Sequence, residues 1–440
     1  MRERRSVSRR KFIQTSAAAG AAGLSFPYIV PSHVMAQNGR QGANDRIVIG
    51  SIGVGGRGGD HVNNFHSMGI QIAGICDVDS RHAAQAAKTV GGKPFVTKDY
   101  RALLDRKDID AIVIATPDHW HAIMMVHACQ AGKDVYSEKP VCRTIQESFA
   151  MVNAAEHYKR VVQIGAQGRS ENAARKVAEY VRNGQIGKVD HVEVWHPVNF
   201  DGNQAMTKDA SPPQNLDWEM WLGPARYRPY NQSIHPFNFR WVMDIGGGFI
   251  RDRGNHVLSC VFWTMDADKT GPVSVEATGQ RDKRGVWDVP HTMHVKWEFK
   301  NPDYTVTWDQ PGQTRPFPEN PNNAIDWGAQ FFGDKGSVIL EHGDSANAER
   351  KAMDYNPPAD GVHLYKSPGH RENWLDCIKT RKETIMPVQA GAAVIVLPII
   401  ANISFLVGRK LQFDPVKREF INDAEANRLL ADPYRTPWHL

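Results

Sequence analysis

A glycine-rich turn between an apolar strand and a helix is the feature that most constrains how this chain can fold. Residues 47–52 form an apolar run typical of a buried strand, and Gly53-Val54-Gly55-Gly56-Arg57-Gly58 follows it directly. A helical pattern then covers 60–68, and a second apolar run, 71–76, ends at Asp77. The order strand, Gly-x-Gly-x-x-Gly, helix, strand and acid predicts a dinucleotide-binding Rossmann site.

Each glycine of the turn has a physical task in such a site. Gly53 allows the tight turn, and Gly55 lets backbone N–H groups approach a pyrophosphate. Gly58 lets the helix pack closely on the strand, and the helix N-terminus adds partial positive charge. Together with Gly56, these residues are predicted to contact the cofactor.

The acid after the second strand bears on the choice of cofactor. Asp77 would accept hydrogen bonds from the adenosine ribose, which favours NAD. Arg57 and Arg81 lie near enough in sequence to contact a 2′-phosphate, so NADP stays open. We therefore predict NAD or NADP, with a slight preference for NAD.

The alternation of strands and helices continues to about residue 165. Residues 110–116, 135–137 and 161–165 read as strands, while 121–131 and 144–158 have helical patterns. Strands that alternate with helices at this spacing predict a parallel, doubly wound sheet, which binds ligands at the carboxyl ends of its strands.

Two motifs follow strands of this sheet and are therefore placed at the cofactor crevice. They are Thr116-Pro117-Asp118-His119-Trp120-His121 and Glu138-Lys139-Pro140. His119 and His121 are interpreted as walls of this site and not as metal ligands. From these motifs we predict cofactor contacts by Thr116, Pro117, His119, Trp120, Glu138 and Lys139.

The second half of the chain has a different pattern. Strand-like segments with few helices between them favour an open, largely antiparallel sheet, at 190–195, 273–278, 292–299, 304–308, 329–332 and 337–340. Stretches rich in Pro, Gly and Asn predict loops at 202–215 and 310–323. The fold class is α/β, with a Rossmann sheet followed by an α/β domain built on this open sheet.

A candidate proton-transfer group follows Gly246-Gly247-Gly248. If this segment is helical, Asp252 and His256 are i,i+4 neighbours on one face. Hydride removal from an alcohol needs a base for the hydroxyl proton, which suits His256. Lys139 could stabilise the developing alkoxide, and Asp252 could orient the imidazole or contact a hydroxyl. The same spacing could suggest metal ligation, but no third ligand is apparent, and we predict no metal site.

The first residues have the layout of an export signal. Arg9 and Arg10 precede an apolar, Ala- and Gly-rich run at 17–30, and Val34-Met35-Ala36 offers a cleavage site. The run is shorter than the ~20 residues of a spanning helix, so we expect no stable membrane anchor. Residues 1–36 are predicted to be a twin-arginine signal peptide that engages the twin-arginine export machinery, which makes the protein periplasmic.

Charge and cysteine content exclude several classes of protein. Residues 1–36 carry the whole net charge of +5, so 37–440 sum to zero and offer no basic surface for nucleic acid. The five cysteines are scattered, with no Cys-x-x-Cys pair. They are interpreted as small buried side chains, since neither a disulfide framework nor a thiolate metal site fits this spacing.

Taken together, these motifs resemble the Gfo/Idh/MocA oxidoreductase family, which includes glucose–fructose oxidoreductase and inositol dehydrogenase. Besides the motifs above, the resemblance covers Cys76-Asp77-Val78-Asp79, the segment 370–376 and the tail 433–438. It implies that Lys139 is catalytic with Asp252 and His256, that the Lys139–Pro140 bond is cis, and that the open sheet mediates homo-oligomerisation. Two positions depart from the usual pattern: Ser259 replaces an acid, and Arg253 replaces an apolar or aromatic residue.

The resemblance also sets the expected domains. Because 440 residues exceed one ordinary core, we expect several units. They are a signal peptide (1–36), an NAD(P)-binding Rossmann domain (44–165), a substrate-binding and oligomerisation domain (166–390), and a C-terminal helix and tail that pack back on both (391–440).

Three functions are consistent with these residues. The leading hypothesis is oxidoreduction of a sugar, sugar acid, cyclitol or glycoside with a tightly held NAD(P), because the periplasm has no evident pool of free cofactor. The second is an NAD-dependent glycoside hydrolase or lyase that works by transient oxidation and elimination, with a tyrosine or histidine of the second domain as an additional base. The third is a sugar-binding protein without catalysis, against which the presence of Lys139, Asp252 and His256 argues.

Overall fold

The computed structural model describes residues 46–197, 208–281, 285–342 and 347–440. The signal peptide that we predict at 1–36 lies outside these described residues, as does the first part of the loop predicted at 202–215. Most strands of the described part belong to two large sheets, one formed before residue 166 and the other after residue 188.

The first sheet is parallel throughout, because a helix separates each strand from the next. Its strands are β1 (Val48–Ile52), β2 (Gln71–Cys76), β3 (Phe95–Thr97), β4 (Ala111–Ile114), β5 (Asp134–Glu138) and β6 (Val162–Gly165). They lie in the order β3-β2-β1-β4-β5-β6. The order reverses between β1 and β4, where open parallel sheets bind ligands. The predicted doubly wound sheet is confirmed.

The connecting helices are α1 (Gly56–Ser67), α2 (Ser80–Val90), α3 (Tyr100–Leu104), α4 (His121–Gln130) and α5 (Ile145–His157). Three of them, α2, α3 and α5, begin where a side chain accepts a free N–H group of the first turn. At α5, the Thr144 hydroxyl accepts the N–H of Glu147 at 3.1 Å, and the Glu147 carboxylate accepts the N–H of Thr144 at 3.2 Å. This reciprocal capping fixes the start of α5 just after the strand that carries the Glu-Lys-Pro motif.

Eight further helices occur in the rest of the described chain. They are α6 (Asn172–Arg182), α7 (Trp218–Leu222), α8 (Phe249–Asp252), α9 (Gly254–Thr264), α10 (Arg350–Met353), α11 (His370–Thr380), α12 (Val388–Val407) and α13 (Ala424–Arg428).

The second sheet has nine strands and is antiparallel except for one neighbouring pair. Its strands are β7 (Val189–Trp195), β8 (Ser274–Gln280), β9 (Thr292–Phe299), β10 (Tyr304–Gln310), β13 (Gly328–Gly333), β14 (Gly336–Glu341), β15 (Asn347–Ala348), β16 (Leu411–Asp414) and β17 (Glu419–Phe420). The order is β15-β14-β13-β7-β10-β9-β8-β16-β17, and only β7 and β10 are parallel neighbours. The largely antiparallel sheet predicted from the sequence is confirmed.

The prediction that 310–323 forms a loop is partly wrong. It contains β11 (Arg315–Phe317) and the start of β12 (Asn320–Ile325), which pair antiparallel in a sheet of their own. Pro316 is tolerated in β11 because a two-stranded ribbon leaves every second N–H outside the ladder. The proline content that suggested a loop therefore does not prevent pairing at an edge.

The second sheet packs on three helices. Alternate side chains of β9 are buried, namely Met293, Val295, Trp297 and Phe299. The sheet lies against α6, α9 and α12, and α12 also contacts α5. Within the described chain, α12 is the one helix long and apolar enough to cross a membrane, with a mean hydropathy of 2.3, and 83% of that window is buried inside the protein.

Helix α11 returns to the first sheet and places two residues on it. Trp374 is buried and meets the rings of Phe65 and Tyr136 edge-on, at 5.7 and 5.6 Å between centroids. The Nε2 atom of His370 lies 2.9 Å from the carbonyl oxygen of Ile164 at the end of the sheet. These contacts bury His370, and burial lowers its pKa to about 4.

The depressed pKa of His370 predicts a loss of stability in acid. Between about pH 6.5, the unfolded value, and pH 4, the unfolded chain binds more protons than the folded one. Unfolding free energy should therefore fall as the pH falls through this window, with a share of at most about 3 kcal/mol from His370. His370→Gln should flatten the curve measured by urea unfolding across this range. His66→Gln, at an exposed position of α1, should leave it close to wild type; an unchanged slope in His370→Gln would refute this account.

Candidate active site

A cavity of about 800 Å³ opens at the carboxyl ends of the parallel strands. The glycine turn after β1 lines one part of it, and Lys139 after β5 lines another. Side chains from the second half of the chain, including Asp252, His256 and Trp327, complete the wall. The sequence motifs predicted at the crevice thus meet residues that are more than a hundred positions away.

The glycine turn has the geometry that a pyrophosphate requires. Gly53 has a φ of +73°, and a Cβ at Gly58 would lie 1.7 Å from the carbonyl oxygen of Gly53. Gly55 precedes α1 without a side-chain cap, and a Cβ at Gly56 would meet no atom within 4 Å. The first N–H groups of α1 are therefore left open for an anionic group, as in dinucleotide sites.

Asp77 lies where a ribose can reach it. Its two carboxylate oxygens accept the N–H groups of Val54 and Asp79, both at 2.8 Å. Burial raises the pKa of Asp77, and these two hydrogen bonds oppose that rise. A carboxylate offers about four acceptor directions, so two remain for ribose hydroxyls. The residues of this turn thus fit a dinucleotide.

The other predicted cofactor contacts divide into two groups. Thr116, Pro117 and Trp120 line the cavity together with Arg57. Three predicted residues, Gly58, Arg81 and His119, are not among its lining residues. The Arg81 side chain is largely exposed and pairs with Asp79 at 2.9 Å. His119 is fully buried, with Nε2 at 2.8 Å from the carbonyl oxygen of Trp221.

Glu138 is a buried anion that anchors the end of β5. Its Oε1 atom lies 2.7 Å from His61 Nε2, 2.8 Å from Gln167 Nε2 and 3.3 Å from Arg57 Nε. Burial alone would raise the pKa of Glu138, but the His61 hydrogen bond and the charges of Arg57 and Lys139 hold it well below its usual range. Glu138 therefore contacts the cavity as a carboxylate.

His121 ties the two motifs together. Its Nδ1 atom lies 2.6 Å from the carbonyl oxygen of Pro140 and its Nε2 atom 2.9 Å from that of Thr116. The peptide bond between Lys139 and Pro140 is cis, as the resemblance predicts. These two contacts of His121 hold the backbone at Thr116 and at Pro140 in place. Lys139, which precedes Pro140, extends its side chain into the cavity.

Lys139 and Asp252 form a buried ion pair across the cavity. The ammonium Nζ lies 2.5 Å from Oδ1 of Asp252 and donates to its backbone carbonyl at 3.2 Å. Burial alone would raise the pKa of Asp252, but the charges of Lys139, Arg240 and Arg253 hold it well below its usual range. Asp252 is therefore ionised at neutral pH and fixes the position of Lys139.

The helix that we predict through Asp252 and His256 is interrupted. α8 ends at Asp252 and α9 begins at Gly254, so the two residues do not share one helix. The break follows from a tighter turn at Arg253, whose carbonyl accepts the N–H of His256 at 3.1 Å. The expected i,i+4 relation is wrong, but Asp252 and His256 still line the same cavity.

His256 is a half-buried imidazole in this wall. Its Nδ1 atom is enclosed and has no hydrogen-bond partner among the described residues. Burial and the charge of Lys139 lower the pKa of His256 well below its usual value, so the ring is neutral at pH 7. Ser259, at the position where the family commonly has an acid, donates to the carbonyl oxygen of His256 at 2.6 Å.

Sequence reasoning missed three residues of the site. His342, just after β14, lies 5.5 Å from His256 between ring centroids, and burial lowers its pKa to about 4. Arg240 Nε lies 3.3 Å from Asp252 Oδ1. The Arg253 guanidinium lies over the ring of Trp327, 5.6 Å from its centroid. No motif or spacing marks these residues, because tertiary folding alone brings them to the cavity.

Both halves of the chain match models of one protein family. Residues 47–166 match an oxidoreductase family with an NAD-binding Rossmann fold, and residues 174–301 and 360–440 match the C-terminal alpha/beta domain of the same family. The chain belongs to the Gfo/Idh/MocA oxidoreductase family. Its dinucleotide is therefore NAD-type, as the glycine turn and Asp77 indicate.

Similar proteins are known for parts of this chain and for its fold. A "Glycosyl hydrolase family 109 protein" of Shewanella putrefaciens is 31% identical over 207 residues, which cover 42% of this chain and 45% of the relative. The chain thus spans less than half the length of that curated relative.

Two solved structures share the fold. The aldose-aldose oxidoreductase of Caulobacter crescentus, complexed with glycerol, has a TM-score of 0.61 at 16% identity, with 84% of this chain and 100% of that chain covered. A levoglucosan dehydrogenase in complex with NADH and levoglucosan has a TM-score of 0.59 at 19% identity, with 83% and 99% covered. At this identity the likeness concerns the fold alone.

Replacing Asp77 should change cofactor affinity. Asp77→Asn removes the charge that accepts ribose hydroxyls, so NAD should bind about tenfold more weakly, while NADP loses less because its phosphate is no longer repelled. Fluorescence titration of cofactor-free protein with each dinucleotide measures both affinities. Asp105→Asn, at an exposed position, should bind both like wild type. An unchanged ratio of NAD to NADP affinity in Asp77→Asn would exclude this role.

Proposed function

We propose that this chain transfers hydride between a nicotinamide dinucleotide and a sugar, sugar acid, cyclitol or glycoside. One observation carries the proposal: the Lys139–Asp252 ion pair and the neutral His256 line the same cavity as the glycine turn. A cation for a developing alkoxide and a base for a hydroxyl proton thus stand beside a dinucleotide-binding turn.

The side chains of the cavity have complementary tasks in alcohol oxidation. The bound dinucleotide supplies the nicotinamide ring that accepts the hydride from the substrate carbon. His256 accepts the hydroxyl proton, at Nε2, because Nδ1 is enclosed by protein. Lys139 stabilises the negative charge that develops on the oxygen, and Asp252 holds Lys139 at that point through the 2.5 Å contact. In the reverse direction the same groups return the proton.

We also propose that the protein works in the periplasm with a cofactor that it does not release. Arg9 and Arg10 before the apolar run support twin-arginine export, a route that carries folded proteins. Since reduced cofactor cannot exchange there, a second sugar would re-oxidise it in place. The Caulobacter neighbour's name, aldose-aldose oxidoreductase, is consistent with such a cycle.

A homo-oligomer is part of the same proposal. The nine-stranded sheet has an outer face with exposed side chains, among them Glu276, His294 and Lys296. We propose this face as the contact between subunits.

The functional proposal is tested by supplying sugars to cofactor-loaded protein. Nicotinamide absorbance should rise in a single turnover with one sugar, sugar acid, cyclitol or glycoside of a broad panel, and should fall when a second sugar is added. A panel in which none of these compounds changes the redox state of the bound cofactor would refute the proposal.

Removing the Lys139 ammonium should abolish most of the hydride transfer. Lys139→Ala should lower the single-turnover rate by about 100-fold or more, since acid–base and charge stabilisation supply factors of this size. Cofactor binding should persist because the glycine turn and Asp77 are unchanged. Lys335→Ala, at an exposed turn, should react like wild type. A Lys139→Ala rate within a few-fold of wild type would remove Lys139 from the mechanism.

A second candidate function is cleavage of a glycoside by transient oxidation. The name of the Shewanella relative, a family 109 glycosyl hydrolase, favours it, and so does His342 beside His256. Oxidation of a ring carbon acidifies the neighbouring C–H; His342 would remove that proton, the glycosidic group would leave, water would add, and the hydride would return. Aglycone release from nitrophenyl glycosides without net cofactor change would support this candidate, whereas net reduction of the cofactor supports the first.

A further inference from the structure

Three cations surround the single carboxylate of Asp252. Lys139 Nζ lies 2.5 Å from its Oδ1, Arg240 Nε 3.3 Å from the same oxygen, and Arg253 Nε 3.7 Å from Oδ2. One carboxylate cannot neutralise three cations. Arg240 is partly buried and Arg253 is nearly half exposed, so this part of the cavity wall presents positive charge that an anionic group of a ligand would complement.

The cavity lining also contains the acids Asp118, Glu138 and Glu171. Asp118 is buried, its charge interacts with that of Arg240, and it lies 3.9 Å from Arg251 Nε. The Glu138 carboxylate accepts hydrogen bonds from His61, Gln167 and Arg57. Glu171 is exposed, and no ion pair between it and Arg240 or Arg253 occurs in the described part of the chain.

Arg240 is held rigidly at the cavity. Its guanidinium lies over the rings of Phe237 and Phe239, at 4.1 and 4.6 Å from their centroids. Its Nη1 donates to the carbonyl oxygen of Phe237 at 3.0 Å. Its Nη2 donates to no described residue, so one edge of a fixed planar group remains available at the cavity wall.

Arg253 has still more free donors. Its guanidinium lies 5.6 Å from the centroid of Trp327, and 45% of the side chain is exposed. The side chain donates no hydrogen bond to any residue that the structure describes, although it lines the cavity. Arg253 is also one of the two positions at which the sequence departs from the pattern that the family resemblance leads us to expect.

We propose that Arg240 and Arg253 form a subsite for a carboxylate of the substrate, so that the preferred substrate is a sugar acid or a glycoside of one. Planar guanidinium groups match the two oxygens of a carboxylate and donate to them in parallel. The substrate carboxylate compensates the surplus charge that Asp252 leaves, and it orients the sugar toward Lys139 and His256. The inference rests on the proposed function for the sugar class and adds the charge of that sugar.

Binding calorimetry on the full chain, as purified with its cofactor, tests the subsite. Glucuronate, galacturonate and gluconate are each compared at low salt with the neutral parent sugar, and the two uronates also with their methyl esters. At least one acid should bind about tenfold or more tightly than both neutral partners. The proposal is overturned if every acid binds no more tightly than its neutral partners, or if matched sugar sulfates bind more tightly than the acids.

Variants of Arg253 assign the preference to this residue. Arg253→Gln should lower the acid-to-neutral affinity ratio by about tenfold, whereas Arg253→Lys, which keeps the charge without the planar group, should retain part of it. Arg350→Gln removes an exposed arginine far from the cavity wall and should keep the full ratio. A wild-type ratio in Arg253→Gln would contradict the assignment.

The two proposals fail separately in this design. Calorimetry needs no turnover, so an acid that binds selectively without reducing the cofactor would support the subsite and refute hydride transfer to that sugar. Cofactor reduction by neutral sugars, with equal affinity for acids, would refute the subsite and leave the oxidoreductase proposal intact.

Discussion

The buried ion pair between Lys139 and Asp252 is the constraint on which the candidate active site depends. Lys139 follows β5 of the parallel sheet, whereas Asp252 ends α8 in the second half of the chain, so their contact joins the two halves at the cavity. Burying both charges is unfavourable unless each is fully paired, and removing one partner of such a pair costs about 3–5 kcal/mol. The arrangement therefore holds the ammonium at one place beside the dinucleotide-binding turn.

Burial sets the protonation of the remaining groups. The cavity wall holds His256 and His342 as neutral imidazoles, because burial disfavours their charged forms. At the same time the neighbouring cations keep Asp252 ionised. Bases and fixed cations therefore coexist within one cavity at neutral pH, a combination that hydride transfer from an alcohol requires. Glu138, at the end of β5, is also ionised and lines the same cavity.

Local sequence was sufficient for the cofactor turn and for five of the six strands of the first sheet; the three-residue β3 was not predicted. Gly53, Gly58 and Asp77 are separated by few residues, and their spacing follows from the backbone geometry of a strand, turn and helix. The arrangement at Asp252 could not be predicted in this way, because one tightened turn at Arg253 splits the expected helix. Arg240 and His342 reach the cavity through contacts between distant segments of the chain. The hydrophobic periodicity of the sequence gives no information about such contacts. Arg81 shows the converse. It is close in sequence to Asp77, but its side chain pairs with Asp79 and does not line the cavity.

The content of bound dinucleotide tests the central claim most directly. The protein would be purified from periplasm without added cofactor and then denatured, and the released small molecule would be identified and counted by chromatography and mass spectrometry. A tightly held cofactor that is re-oxidised in place predicts NAD or NADP in near-equimolar amount to the chain. A protein that carries no dinucleotide, and takes up none when NAD and NADP are supplied at millimolar concentration, would contradict the account.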